Sequence, residues 1–129
     1  IVPIPLYFKK EKERGFNQAE LLASAVTESI HKITAVLCYS ITPELTVKIE
    51  TGNLVKIKNT KSQTEIRDYG GKKENVAGCF DLKFPERIKG KNIILVDDVF
   101  TSGATMNEAV KVLKAAGVRR VIGFVLAKA

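Results

Sequence analysis

The chain has 129 residues, 45% hydrophobic and 27% charged, with a formal net charge of +7. That is enough for one domain with one core, and no run approaches the roughly 18 apolar residues of a membrane span. No charged, apolar and small-residue succession marks a signal peptide, so a cytoplasmic protein without membrane attachment is expected; the charge points to an anionic partner without naming it. Cys38 and Cys79 form no CxxC pair and His31 is the single histidine, so neither a zinc site nor a disulfide framework is signalled, and both cysteines read as ordinary buried thiols. The chain opens directly on an apolar run at Ile1 and is expected to be part of something longer.

Taken in order, residues 1 to 6, "IVPIPL", make a short apolar run in which Pro3 and Pro5 remove alternate ladder donors, so a strand here must be brief. "YFKKEKERGF" reads as the loop that follows. A helix comes next: Asn17 is a good N-cap, Glu20 stands three positions on as in a capping box, and Ala19, Leu22, Ala23, Val26 and Ile30 repeat at helical spacing as a core-facing stripe. Residues 33 to 57 mix β-branched side chains with one proline and one glycine without a clear period, and are expected as a short helix or strands. Residues 58 to 75 hold five Lys and Arg on few apolar anchors, the composition of a mobile surface segment. "VAGCFDLKF" alternates as a strand and "PERIKGKN" reads as a turn. "IILVDDV" then predicts a buried strand, "TMNEAVKVLKAAG" a helix with Met106, Ala109, Val110 and Leu113 inward and Gly117 as its stop, and "VRRVIGFVLA" a second buried strand. Strand, helix and strand in that order form a βαβ unit, hence an α/β fold with a parallel sheet covered by helices.

The junction "NIILVDDVFTSGAT", residues 92 to 105, carries the chemistry. Ligands of open α/β sheets collect outside the carboxyl ends of the strands, where Asp97 and Asp98 fall. Successive strand residues face opposite ways, so the two carboxylates are expected to pair where the strand gives way to loop. Ionised carboxylates only accept hydrogen bonds, and vicinal hydroxyls are suitable donors. The hydroxyls of Thr101, Ser102 and Thr105, with flexible Gly103, then lead into a helix N-terminus, whose free N–H groups and dipole favour a phosphate. Aspartates and threonines can also cap a helix with no ligand present. A Walker B strand would end similarly, but it needs a GxxxxGK[ST] that the chain lacks.

"IILVDDVFTSGAT" resembles the phosphoribosyl pyrophosphate (PRPP) motif of type I phosphoribosyltransferases. The resemblance implies a Rossmann-like fold with a mostly parallel central sheet, flanking helices and a flexible hood. It also implies that Asp97 and Asp98 hold the ribose 2- and 3-hydroxyls, while Thr101, Ser102, Gly103, Ala104 and Thr105 take the 5-phosphate. More widely, "VPIPLYFKKEKERGFNQAELLA", "NTKSQ", "ENVAGCF", the motif itself and the closing "LAKA" resemble the ComF competence-protein family, with residues 33 to 53 the least matched. That family usually carries a cysteine-rich zinc ribbon ahead of this domain; none is expected within residues 1–129, which read as a single phosphoribosyltransferase domain. The family's pyrophosphate loop falls on Arg14, Gly15 and Asn17, and Arg14 suits a diphosphate bidentately. Lys9, Lys10 and Lys12, alternating with Glu11 and Glu13, read instead as a solvated charge cluster. In the hood region Thr60, Lys61, Gln63 and Arg67 align with recurrent polar positions, whereas Lys58 stands where relatives more often have arginine.

The implied activity is displacement of pyrophosphate from C1 of Mg²⁺-PRPP by a nitrogen nucleophile, a pentosyl transfer through an oxocarbenium-like state. Magnesium would arrive with PRPP, with no metal ligand supplied directly by the chain, and no residue is an obvious general base. Enzymes that salvage 6-oxopurines have an aspartate where this chain has Thr101, which disfavours hypoxanthine and guanine; another base, ammonia or no acceptor stays open. The competing expectation is a non-catalytic PRPP or nucleotide binder in DNA uptake, contacting single-stranded DNA or a helicase. For that role Tyr69 is the only aromatic of the hood and tryptophan is absent, a thin stacking platform. A homodimer is a further expected assembly.

Overall fold

Residues 1–37, 46–60 and 76–129 are described by the computed structural model. The two early prolines confine the first strand, β1, to Val2–Pro3, although the Ile4 N–H still reaches the Val96 carbonyl at 2.8 Å. β1 lies parallel to β4, Asn92–Phe100, with Val2 opposite Leu95 and Pro3 opposite Val96. On its other side β4 runs parallel to β5, Arg120–Lys128, in register from Asn92 against Arg120 to Phe100 against Lys128. The sheet order is therefore β1-β4-β5, all parallel. Two three-residue strands, β2 at Leu54–Lys56 and β3 at Phe80–Leu82, form a separate antiparallel ribbon, which a single parallel bridge from Lys56 to Tyr7 joins to the chain leaving β1.

β4 reads as an unbroken apolar run because both of its faces are covered. Helices α2, Gln18–Leu37, and α3, Ala104–Ala115, pack on the sheet. Ile93 and Leu95 join a cluster with Met106, Ala109 and Leu113 of α3, while Val96 and Ile94 meet Ala23, Leu22, Val26 and Ile30 of α2 together with Ile1. The inward stripes of both helices are those expected. Gly117 closes α3 at φ 83 in a Schellman arrangement: its N–H bonds Lys114 O at 3.0 Å, and Val118 N–H bonds Leu113 O at 3.2 Å. Cys79 is a free, buried thiol; Cys38 lies outside the described residues.

Two local expectations are corrected. The charged stretch after β1, expected as a loop, forms a helix, α1, at Phe8–Arg14. Its lysines and glutamates are good helix formers, and Gly15 ends it at φ 85 with its N–H on the Glu11 carbonyl at 2.8 Å. β5, expected as a buried strand, is mostly exposed, with Ile122, Phe124 and Leu126 open along it. Within residues 33 to 57, expected as a short helix or strands, residues 33 to 37 continue α2 and Leu54–Lys56 forms β2.

Candidate functional site

At the carboxyl end of β4 the chain leaving β1, α1, the end of β2, and the turn into α3 enclose a cavity of about 310 Å³. Asp97 and Asp98 both line it. The strand does not give way at the acidic pair as expected: β5 continues alongside as far as Lys128 and keeps Val99 and Phe100 in the ladder. Asp97 Oδ1 accepts the Asp98 N–H at 3.0 Å, and Asp98 Oδ1 accepts the Val99 N–H at 2.9 Å, so each carboxylate is steadied by the backbone that follows it.

Burial pushes the Asp97 carboxyl from 3.8 up to about 7; a hydrogen bond to Asp98 and the charge of Asp98 add to this, while the Asp98 N–H and Lys56 pull weakly the other way. Between those two values the folded chain keeps a proton that the unfolded chain has released. Stability from this group is thus complete below pH 3.8 and is lost as pH rises through about 7. We expect the thermal midpoint of the ligand-free protein to fall across this window, and that of Asp97→Asn, neutral throughout, to fall less. Parallel midpoint curves for the two proteins would contradict the assignment.

The turn into α3 is built around Gly103, which is buried and left-handed at φ 74. A Cβ there would lie 2.7 Å from Phe100 Cζ and 3.0 Å from Cε2. Ser102 Oγ accepts the Ala104 N–H at 3.4 Å, and Asn107 N–H makes the first helical bond to Gly103 O at 2.8 Å. Thr101, Gly103 and Thr105 line the cavity, while Ala104 is buried in the core cluster. Gly103→Ala combines left-handed strain with the Phe100 clash and should cost about 1–3 kcal/mol, read as a lower urea midpoint.

Of the pyrophosphate-loop candidates, Arg14 and Asn17 line the cavity. Arg14 Nη1 donates to Gln18 Oε1 at 2.7 Å on the exposed side. Asn17 is 4% exposed and capped into the fold: its Oδ1 accepts the Ala19 N–H at 3.0 Å and its Nδ2 donates to Ile4 O at 3.1 Å. Gly15 serves as the cap of α1. Of the hood candidates, Thr60 is buried in the cavity wall, and Lys61, Gln63 and Arg67 lie outside the described residues. Lys58 turns away to the Ala77 carbonyl at 3.2 Å.

Two cavity residues escaped sequence reasoning. Lys10, read as part of a solvated cluster with Lys9 and Lys12, reaches across from α1 and donates to the Thr60 carbonyl at 2.8 Å. Lys56 lines the same cavity from the end of β2. Its signal in the sequence was slight: a lysine two positions after Leu54, on the same side of a strand only three residues long.

A parallel α/β sheet with an acidic pair and a small-residue helix start at one strand end sets hydrogen-bond acceptors beside free N–H groups, where ligands of open α/β sheets collect. The family model described as Phosphoribosyl transferase domain matches residues 39–129, and the chain belongs to that family. Its fold is the type I phosphoribosyltransferase fold. Within the family it sides with the ComF competence proteins. It is 32% identical to Competence protein F of Haemophilus influenzae over 100% of this chain and 50% of that protein. It is 33% identical to Competence protein ComFC of Bacillus subtilis, over 88% of this chain and 37% of that one. It is also 26% identical to DNA utilization protein YhgH of Escherichia coli K12, over 88% of this chain and 42% of that protein. The chain therefore spans half or less of the length of these relatives. No solved structure matches it.

Proposed function

We propose that this domain binds Mg²⁺-PRPP in the cytoplasm and transfers its phosphoribosyl group to a nitrogen nucleophile with release of pyrophosphate. The observation that carries this reading is the presence in one cavity of two adjacent carboxylates and a helix N-terminal turn. A ribose 5-phosphate unit needs both: acceptors for two vicinal hydroxyls, and N–H and hydroxyl groups for a phosphate. In this reading Asp97 and Asp98 orient the ribose, and Thr101, Ser102, Gly103, Ala104 and Thr105 cradle the 5-phosphate. Arg14 and Gly15 face the diphosphate, with Asn17 holding their segment against β1. Thr60, Lys61, Gln63 and Arg67 close the hood and keep water from replacing the acceptor.

Hard oxygen donors such as Asp97 and Asp98 fit a magnesium ion that enters on the ligand's own oxygens. When bound, it supplies charge to stabilise the departing diphosphate. The protein's part is to fix the ribose, gather cations around the leaving group and exclude water.

The names of the relatives, competence and DNA utilization proteins, favour a second reading, in which the domain binds PRPP without turnover in the service of DNA uptake. Incubation with Mg²⁺-PRPP and a panel of bases and ammonia, following pyrophosphate release, separates the two. Acceptor-dependent release is the expected result. PRPP binding with no release for any acceptor would overturn catalysis in favour of the binder.

A further inference from the structure

We propose that the end of the sheet opposite the cavity is a contact surface for the phosphate backbone of a nucleic acid, formed by Lys89, Lys91, Arg119 and Arg120. The inference is independent of the PRPP reading, and either can fail without the other.

Two turns meet at that end, one leading into β4 and the other joining α3 to β5. The Gly90 N–H bonds Gly117 O at 2.9 Å and the Arg119 N–H bonds Lys91 O at 2.9 Å, so the turns are fastened side by side. The stem of Lys89 lies over Gly117, where a Cβ would stand 3.3 Å from Lys89 Cγ, and Arg120 is the register partner of Asn92. Lys89, Lys91, Arg119 and Arg120 are all exposed, and Lys114 joins them from the end of α3. The fold accounts for Lys114, whose Nζ donates to the Arg119 carbonyl at 2.9 Å beside the negative end of the helix. It does not account for the other four. The ion pairs among the described residues are Lys32–Glu28, Arg87–Glu50 and Lys111–Glu108, so none of the four has a carboxylate partner there. Like charges held together in this way repel one another, and an incoming polyanion relieves the repulsion.

The kind of anion follows from what the surface lacks. Neither turn contributes any of the exposed large apolar side chains of the described residues. A protein partner needs an apolar anchor at the centre of its interface, and stable attachment to a lipid surface needs an inserted apolar group besides charge; a nucleic acid backbone needs cations alone. With no aromatic ring in residues 89–92 or 116–120, the surface touches phosphates and not bases. Asp97 lies five residues beyond Asn92 on β4, roughly 17 Å away at the rise of a parallel strand, so a nucleic acid held here leaves the cavity open.

The test follows the fluorescence anisotropy of a labelled DNA duplex of about 20 base pairs, and of a single strand of the same length, over a series of salt concentrations. The proteins are the wild type, Lys89→Gln/Lys91→Gln/Arg119→Gln/Arg120→Gln and, as a control on α1, Lys9→Gln/Lys12→Gln. Salt-dependent binding is expected, at least as tight for the duplex, whose charges lie about 1.7 Å apart along its axis. The fourfold variant should weaken binding at least about tenfold near 0.1 M salt and flatten the plot of log K against log salt by about one per lost contact, while melting no lower than the wild type. The α1 control, and Mg²⁺-PRPP added at constant magnesium and ionic strength, should each change the affinity by less than about threefold. An absence of salt-dependent binding, equal loss in the α1 control, displacement by PRPP, or a single strand held far more tightly than the duplex would each overturn the inference. Equally tight binding of polyglutamate, or of vesicles rich in anionic lipid, would also overturn it and make the surface one for an acidic protein or a membrane. The fourfold variant should keep the wild-type response to Mg²⁺-PRPP, so failure here and failure of the PRPP reading are distinguishable.

Discussion

Asp97→Asn/Asp98→Asn should abolish PRPP binding, weakening it by at least about a hundredfold, while the domain stays folded. Each ionised carboxylate accepts a ribose hydroxyl as a charged hydrogen bond worth about 1.5–3 kcal/mol, and the two act on one rigid diol. Asparagine keeps the Oδ1 that takes the next N–H, the contacts now seen at 3.0 and 2.9 Å, so the local backbone is not deprived of a partner. It removes the charge whose burial pushes Asp97 up to about 7, and the ligand-free variant should melt no lower than the wild type near neutral pH. Titration calorimetry and a melting curve read both effects. Unchanged PRPP affinity in the double variant would remove the acidic pair from the site.

The second large effect is on stability. Leu95 is fully buried between β1 and the α3 side of the sheet, two residues ahead of Asp97. Leu95→Ala should cost about 2–5 kcal/mol through lost burial and the cavity left behind, a large part of the roughly 5–15 kcal/mol available to a domain of this size. Leu126→Ala, at a residue 71% exposed, should change stability by less than about 0.5 kcal/mol. Urea denaturation distinguishes them; a loss below about 1 kcal/mol at Leu95 would contradict the packing described for β4.

The site was legible where its signals are local. The run into Asp97 and Asp98 has the continuous apolarity of a strand buried on both faces, Gly103 stands where the turn demands φ 74, and Gly117 stands where α3 must stop. Asn17 was likewise readable as a cap, although its second bond, to Ile4 O, ties the helix start to β1 over thirteen positions and has no local sign. What escaped depends on distant partners. Lys10 was indistinguishable from its solvated neighbours until Thr60, fifty positions away, was placed beside it. Lys56 lies in a strand too short to show a period, and its inward direction follows only from pairing with Phe80. α1 was misread because charge was equated with loop, although lysine and glutamate favour helix as much as surface.

The most direct measurement is a calorimetric titration of Mg²⁺-PRPP into the unmodified chain at neutral pH. A saturable one-to-one isotherm, displaced by ribose 5-phosphate and lost in Asp97→Asn/Asp98→Asn, is the predicted result. The absence of saturable heat at millimolar PRPP, from protein that melts cooperatively, would contradict it.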